Sequence, residues 1–307
     1  MKQTVFQGVA TALVTPMQRD GSLDRHRLEE LLEYQVRSCV DAVVVAATTG
    51  EGSTLTDEEH RQVVRWSADA VRGRVPVIAG VGSNDTAHAV RLCRDACEAG
   101  ADALLMVTPY YNKTSQKGLV EHFTACARAT RLPVILYNVP SRTGMNIQPE
   151  TCLKLCEEEN IVGIKEASGD ISQLARIAAL CGDRLDLYSG NDDQVVPALA
   201  LGAKGVISVL SNLMPGAVHE MCRSFFEGNI SLSREIQLHC LELIQALFSD
   251  INPIPVKQAF SMMGIPVGPC RLPLCEMEDK AAEKLKSVLK KYRLCVEEQN
   301  HVIYRAG

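Results

Sequence analysis

The sequence has no long run of Lys and Arg, no apolar stretch of the roughly 20 residues needed to span a bilayer, and no C-x-x-C pair. Each absence removes a class of function. With a formal net charge of -5 and no basic run, nucleic acid and anionic membranes are poor main partners, and a small molecule fits better. The stretch Met1 to Thr15 holds a single Lys and no cleavable signal pattern, so a cytoplasmic protein is expected. The twelve cysteines form no cluster with His at zinc spacing. Cys93 and Cys97, like Cys152 and Cys156, stand at i, i+4 in expected helices and read as small buried apolar residues of a reduced protein.

What is present is an ordinary globular balance, 46% hydrophobic and 22% charged, enough to bury a large core. A chain of 307 residues is long for one domain, yet (β/α)8 barrels run to about 250 residues as a single unit. Short apolar, β-branched runs recur, each followed by a polar turn and a stretch of helical periodicity. The expected strands are Gly8 to Val14, Ala42 to Ala47, Val75 to Ala79, Ala103 to Val107, Val134 to Tyr137, Val162 to Ile164, Leu185 to Tyr188 and Gly205 to Val209. Runs such as VVVAA and ALLMV imply strands buried on both faces, as in a parallel sheet covered by helices. Eight such units favour an α/β (β/α)8 TIM barrel, with a doubly wound sheet as the alternative. Thr56 followed by Glu59 predicts a capping box before a helix carrying Val63, Val64 and Trp66. Beyond about residue 230 the strand signal stops. Helical patterns at Ser231 to Phe248, Ile254 to Met263 and Asp279 to Val296 predict a C-terminal helical region over 231–307, following a barrel over 1–230.

In such a barrel the functional groups project from the C-terminal ends of the strands. The sixth strand ends Ile164-Lys165-Glu166, which places an amine directly after an apolar run. An amine that loses hydration there more readily reaches its neutral, nucleophilic form, the requirement of Schiff-base chemistry. The competing account pairs Lys165 with a carboxylate at the rim. Lys204 precedes its strand and belongs to the opposite face, in a surface ion pair. Thr48, Thr49, Gly50 and Glu51 follow the second strand, Thr108 to Asn112 the fourth, and Tyr137 to Gly144 the fifth. Paired hydroxyls beside a glycine can bind a carboxylate or pass protons, or simply form a turn that starts a helix. Tyr110 and Tyr111 fit rim aromatics and Tyr137 fits the core as well as it fits catalysis. Arg142 can grip a carboxylate in bidentate fashion, or make a surface salt bridge.

Six segments in order, ATTGEGSTLT at 47 to 56, VTPYYNK at 107 to 113, ILYNVPSRTG at 135 to 144, GIKEASGD at 163 to 170, GVISV at 205 to 209 and NPIPVK at 252 to 257, cover essentially the whole chain. Together they resemble the 4-hydroxy-tetrahydrodipicolinate synthase (dihydrodipicolinate synthase) family of pyruvate-dependent class I aldolases. The resemblance implies condensation of pyruvate with L-aspartate 4-semialdehyde, the committed step toward diaminopimelate and lysine. It also implies a homotetramer built as a dimer of dimers, with no cofactor and no metal. By that resemblance Lys165 forms the imine, and Tyr137, Thr48 and Tyr111 form a proton relay, with Tyr111 coming from a neighbouring subunit. Thr49 is expected to bind the pyruvate carboxylate, Gly190 and Ile207 to line the pocket, and Arg142 to hold the semialdehyde carboxylate.

A sister lyase or aldolase acting on a sialic or sugar acid would share the Lys and Tyr, but Arg142 suits a short carboxylate-bearing aldehyde better than a polyol. A non-catalytic barrel sensing pyruvate or lysine would have no use for the full set of catalytic groups. A metal-dependent aldolase lacks a His and carboxylate set at the strand ends. The resemblance extends to a lysine-inhibition site, which His60, Asn84 and Tyr110 match, whereas Gly52, Asp57 and His88 depart from it. With His88 where lysine-sensitive relatives carry a glutamate, weak or absent feedback is expected.

Overall fold

In the computed structural model, which describes residues 2–295, the strands are β1 (Gly8–Ala12), β2 (Ala42–Val45), β3 (Val77–Gly80), β4 (Ala103–Val107), β5 (Val134–Asn138), β6 (Ile161–Glu166), β7 (Asp186–Ser189) and β8 (Gly205–Ser208). All are parallel and close in chain order, β8 pairing back onto β1. The doubly wound alternative is thereby excluded. Alternate residues of each strand face two separate apolar regions, as a pleated strand requires. Ala10, Val44, Ile78, Leu105, Ile135, Tyr188 and Ile207 fill the barrel interior. Val9, Val43, Val45, Leu104, Leu136 and Ile164 face the surrounding helices.

Every strand but β4 differs from the sequence expectation by one or two residues at an end, and for two of them the cause is visible. The ladder of β1 gives out after Ala12, because Val14 N donates to the Asn212 side chain rather than to a neighbouring strand. Pro76 has no N–H to give, so β3 begins at Val77. At the other end of the sequence argument, β6 runs two residues further than expected and takes Lys165 and Glu166 into the barrel wall. The Thr56–Glu59 capping box is present at the head of the helix Asp57–Val71.

Below the site, the N-terminal segment closes the barrel floor. Phe6 stacks on Tyr188 with ring centroids 4.3 Å apart, and the Tyr188 hydroxyl donates to the Phe6 carbonyl at 2.9 Å. The C-terminal helices Ile230–Leu247, Ile254–Met262 and Asp279–Lys291 are observed. The last ends at Lys291, short of the expected Val296, which lies outside the described residues with the rest of the tail. The C-terminal region is tied to the barrel by polar contacts at buried places. Lys257 meets Glu51 at 2.6 Å, the Arg271 guanidinium straddles Glu59 at 2.5 and 2.8 Å, and Met17 N donates to Val267 O. Of the paired cysteines, Cys93, Cys152 and Cys156 are buried and Cys97 is partly so; all the described cysteines are free thiols.

Candidate active site

The register of the barrel sets Tyr137 of β5 beside Lys165 of β6, and Lys165 beside Tyr188 of β7. Because alternation sends Ile164 outward, Lys165 points into the barrel, where only 5% of its surface remains exposed. Its Nζ lies 4.3 Å from the centroid of the Tyr137 ring. The adjacent Glu166 is turned away: its oxygens accept from the Asn138 and Gln173 amides and from Ser168 N, at 2.7–2.9 Å. No salt bridge reaches Lys165 among the described residues, so the rim-pair account of this lysine fails. Lys204 lies at the opposite end of the barrel, before β8, with Asp186 as its carboxylate neighbour.

Behind the lysine, Gly190 leaves no room for a side chain. A Cβ there would sit 2.5 Å from Ala167 Cβ and 3.1 Å from Lys165 Cε. Glycine is what lets the strand end lie against the lysine stem. Ile207 is wholly buried in the same interior layer.

The turn after β2 brings Thr48 to the cavity and buries Thr49. Ala46 and Glu51, at φ 51° and 54°, bracket Thr48 and Thr49 with left-handed backbone, a conformation that non-glycine residues keep only where surroundings enforce it. Thr48 lines a cavity of 360 Å³ together with Tyr137, Val139, Arg142, Thr143 and Tyr110. Thr49 is 3% exposed and its Oγ1 accepts from Asn252 Nδ2 at 2.9 Å, which leaves its own hydroxyl proton to donate elsewhere. Arg142 is exposed on the helical turn Pro140–Thr143 and reaches Asn252 O at 3.4 Å. Tyr111, at φ 69°, is 90% exposed and does not line the cavity.

Sequence reasoning missed three residues. Asn252 bridges Thr49 and Arg142 from a position 203 residues beyond the threonine; its only sequence signal was its place in the NPIPVK segment. Glu51, named as part of a chemically dense turn, is fully buried and held by Lys257 Nζ and Arg271 N. Asp192 is buried beyond the end of β7, where its Oδ2 accepts from Val209 N and Leu210 N, and burial pushes its carboxyl above the ordinary range.

The outer part of the cavity carries a second polar group. His88 Nε2 meets Asp57 Oδ1 at 2.8 Å, a contact that holds the Asp57 carboxyl below its ordinary value. His60 donates through Nε2 to Gly80 O at 2.6 Å, and burial pushes its imidazole toward the neutral form. Both histidines and Tyr110 line the cavity wall.

A nearly buried amine without a salt bridge, over a phenol ring that lines one cavity with a threonine and an arginine, can capture a keto acid and move a proton from it. Comparison with known proteins gives the same direction. A 4-hydroxy-tetrahydrodipicolinate synthase of Acetivibrio thermocellus is 52% identical over 294 residues, covering 96% of this chain and 100% of that protein. One from a Thermoanaerobacter species is 53% identical over 294 residues, covering 95% and 99%. The crystal structure of dihydrodipicolinate synthase from Aquifex aeolicus superposes with a TM-score of 0.93 at 44% identity, covering 95% of this chain and 100% of that one. The family model described as dihydrodipicolinate synthetase matches residues 5–292, and the chain belongs to that family.

Proposed function

We propose that this chain condenses pyruvate with L-aspartate 4-semialdehyde through a Schiff base on Lys165, giving 4-hydroxy-tetrahydrodipicolinate, the committed step of lysine and diaminopimelate biosynthesis in the cytoplasm. The observation that carries the reading is Lys165 Nζ, without a salt bridge, 4.3 Å over the ring of Tyr137, which itself lines the cavity. The amine adds to the pyruvate ketone and water leaves, forming the imine. Loss of a proton from the pyruvate methyl gives an enamine, which attacks the aldehyde carbon; the amino group of the former semialdehyde then adds to the regenerated imine carbon, closing the ring and expelling the Lys165 amine. Tyr137 donates and accepts protons, and Thr48 continues the relay.

Thr49, braced by Asn252, binds the pyruvate carboxylate, while Gly190 and Ile207 shape the space around it. Arg142 holds the semialdehyde carboxylate from the rim, where a planar guanidinium can make two parallel bonds. Tyr111 completes the relay to solvent in a neighbouring subunit of a tetramer made of two tight dimers; its 90% exposure in one chain supports a role across an interface. Residues 1–230 supply the chemistry, and the C-terminal region of 231–307, through its described residues up to 295, braces it. Membrane attachment has no part in the reading; among the described residues no helix is long and apolar enough to cross a bilayer.

The test is intact-protein mass after pyruvate and borohydride, with peptide mapping and Lys165→Ala as the control. A reduced adduct on Lys165, absent from the variant, is expected, followed by turnover with aspartate semialdehyde. No adduct would sink the imine mechanism, and an adduct without turnover would sink the choice of aldehyde.

A further inference from the structure

Glu166 follows Lys165 along β6, turned away from the barrel interior, and the proposed mechanism gives it no part. It is the anchor of a closed ring of side chains. Its Oε2 accepts from Asn138 Nδ2 and from Gln173 Nε2, each at 2.9 Å, and its Oε1 accepts from Ser168 N at 2.7 Å. The same two amides also donate to Asn146 Oδ1, at 2.7 Å from Asn138 and 3.0 Å from Gln173, while Asn146 Nδ2 donates back to Gln173 Oε1 at 2.6 Å. The remaining polar atom of Asn138, Oδ1, accepts from Ile147 N at 2.9 Å. Asn138, Glu166 and Gln173 are all buried. A carboxylate only accepts, so both amides must turn their NH2 groups toward it, and that choice fixes every other donor and acceptor in the ring.

Asn138 is the last residue of β5, directly after Tyr137, and its side chain grips Asn146 and Ile147 at the far end of the segment 139–146 that carries Arg142. One side chain thus closes the loop at its base, and Glu166 holds that side chain to the strand of Lys165. Within the loop, Arg142 N donates to Val139 O at 3.0 Å and Gly144 N to Pro140 O at 2.8 Å, so the turn moves as one piece on that base. We infer that Asn138 and Glu166 are positioning residues for the aldehyde: through their clasp on the segment 139–146 they set where the Arg142 guanidinium stands relative to the Lys165 amine. This rests on the reading above in which Arg142 holds the aldehyde carboxylate. The strands do not need the ring, because their own ladder sets Tyr137 beside Lys165, and Ala167 N donates to Asn138 O at 2.9 Å. Gln116 also holds the far end of the loop, donating to Asn146 O at 2.8 Å. Disturbing the ring therefore tilts the loop without unfolding it, and leaves imine formation in place.

Glu166→Gln turns one acceptor of the ring into a donor. Whichever way the new amide lies, its NH2 faces either Ser168 N or the NH2 groups of Asn138 and Gln173, and donor meets donor. The expected result is a KM for aspartate semialdehyde raised about tenfold, with borohydride trapping of pyruvate within about twofold of the unsubstituted chain. The ring can also run in the opposite sense. Adding Asn138→Asp to Glu166→Gln moves the carboxylate to β5 and the amide to β6, and turning over the Asn146 and Gln173 amides then satisfies every contact, those of Ile147 N and Ser168 N included. That double variant should recover the KM, which a role in mere bulk would not predict. Raised KM with trapping intact, and recovery in the double variant, supports the inference. Trapping and turnover lost together, an unmoved KM, or a double variant no better than the single one overturns it. Should Glu166→Gln fail to fold, the double variant and Asn146→Ala, at a half-buried position, decide. The first should keep the ordinary KM and the second should raise it with trapping intact, and the reverse of either overturns the inference. Arg142→Ala, measured alongside, separates the two readings. A KM unmoved there overturns the role of Arg142 and this inference with it; a KM raised there but not in the ring variants overturns this inference alone.

Discussion

Lys257→Met is expected to be far more damaging than its distance from the reacting atoms suggests. Lys257 and Glu51 meet at 2.6 Å with side chains 3% and 0% exposed. Removing the ammonium strands a carboxylate whose remaining contact is the amide of Arg271, and it also leaves Pro269 O without its donor. Breaking one partner of a buried pair costs about 3–5 kcal/mol. In a chain of this size that corresponds to a fall in Tm of about 10 °C. Replacing both charges, as Glu51→Gln with Lys257→Met, leaves no stranded charge and keeps an acceptor for Arg271 N, so the double variant should recover most of the loss. Glu51 holds left-handed backbone in the turn that carries Thr48 and Thr49, so the single variant should also raise the pyruvate concentration needed for half-maximal trapping. Denaturant or thermal unfolding of the three variants gives the first readout, and borohydride trapping the second. A single variant that loses less than about 1 kcal/mol, or a double variant no more stable than it, would show that the pair is not the internal brace described here.

Arg142→Ala should leave imine formation on Lys165 intact while sharply weakening use of the aldehyde; equal loss of both would remove Arg142 from its role. The Arg271 contacts hold the Glu59 carboxyl down to about 2, from 4.5, so the Glu59 contribution is complete above pH 4.5 and lost as pH falls toward 2. The two side chains are 20% and 24% exposed, which limits that contribution to about 1 kcal/mol. Unfolding measured against pH should show the stability gap between the unsubstituted chain and Glu59→Gln closing across that interval; a gap constant with pH would contradict the assignment. Free lysine should inhibit weakly or not at all, since the carboxylate of Asp57 in the outer cavity is already engaged by His88. A titration showing strong inhibition at sub-millimolar lysine would reject that expectation.

The barrel was legible because each strand is a short β-branched run buried on both faces, and that pattern needs no knowledge of partners. Lys165 was legible for the same reason: a charge at the end of such a run has few bland explanations. Its failure to pair with Glu166 was not, since that depends on Asn138 and Gln173 drawing the carboxylate away. Strand ends at Ala12 and Val77 were set by Asn212 and Pro76, one contact being 198 residues away and one local feature being overlooked. Asn252, Glu51 and Asp192 belong to the class that sequence periodicity cannot reveal. Their chemistry comes from partners on other elements, such as the 203-residue separation between Asn252 and Thr49. Tyr111, 90% exposed in the single chain, marks the opposite limit: the role proposed for it depends on surroundings that its own chain does not supply.

The stacked Phe6 and Tyr188 fill the barrel beneath Lys165, so the amine is approached from the strand ends, as the bottom of a well is. Traffic through such a well has an order. On the proposed roles, the molecule that bonds to the lysine must enter first, because the second, held by Arg142 at the rim, would stand in its path. The finished ring must then leave before another keto acid can enter. Steady-state patterns should therefore show the aldehyde binding only to the pyruvate-loaded protein, with excess aldehyde slowing turnover by occupying the empty well.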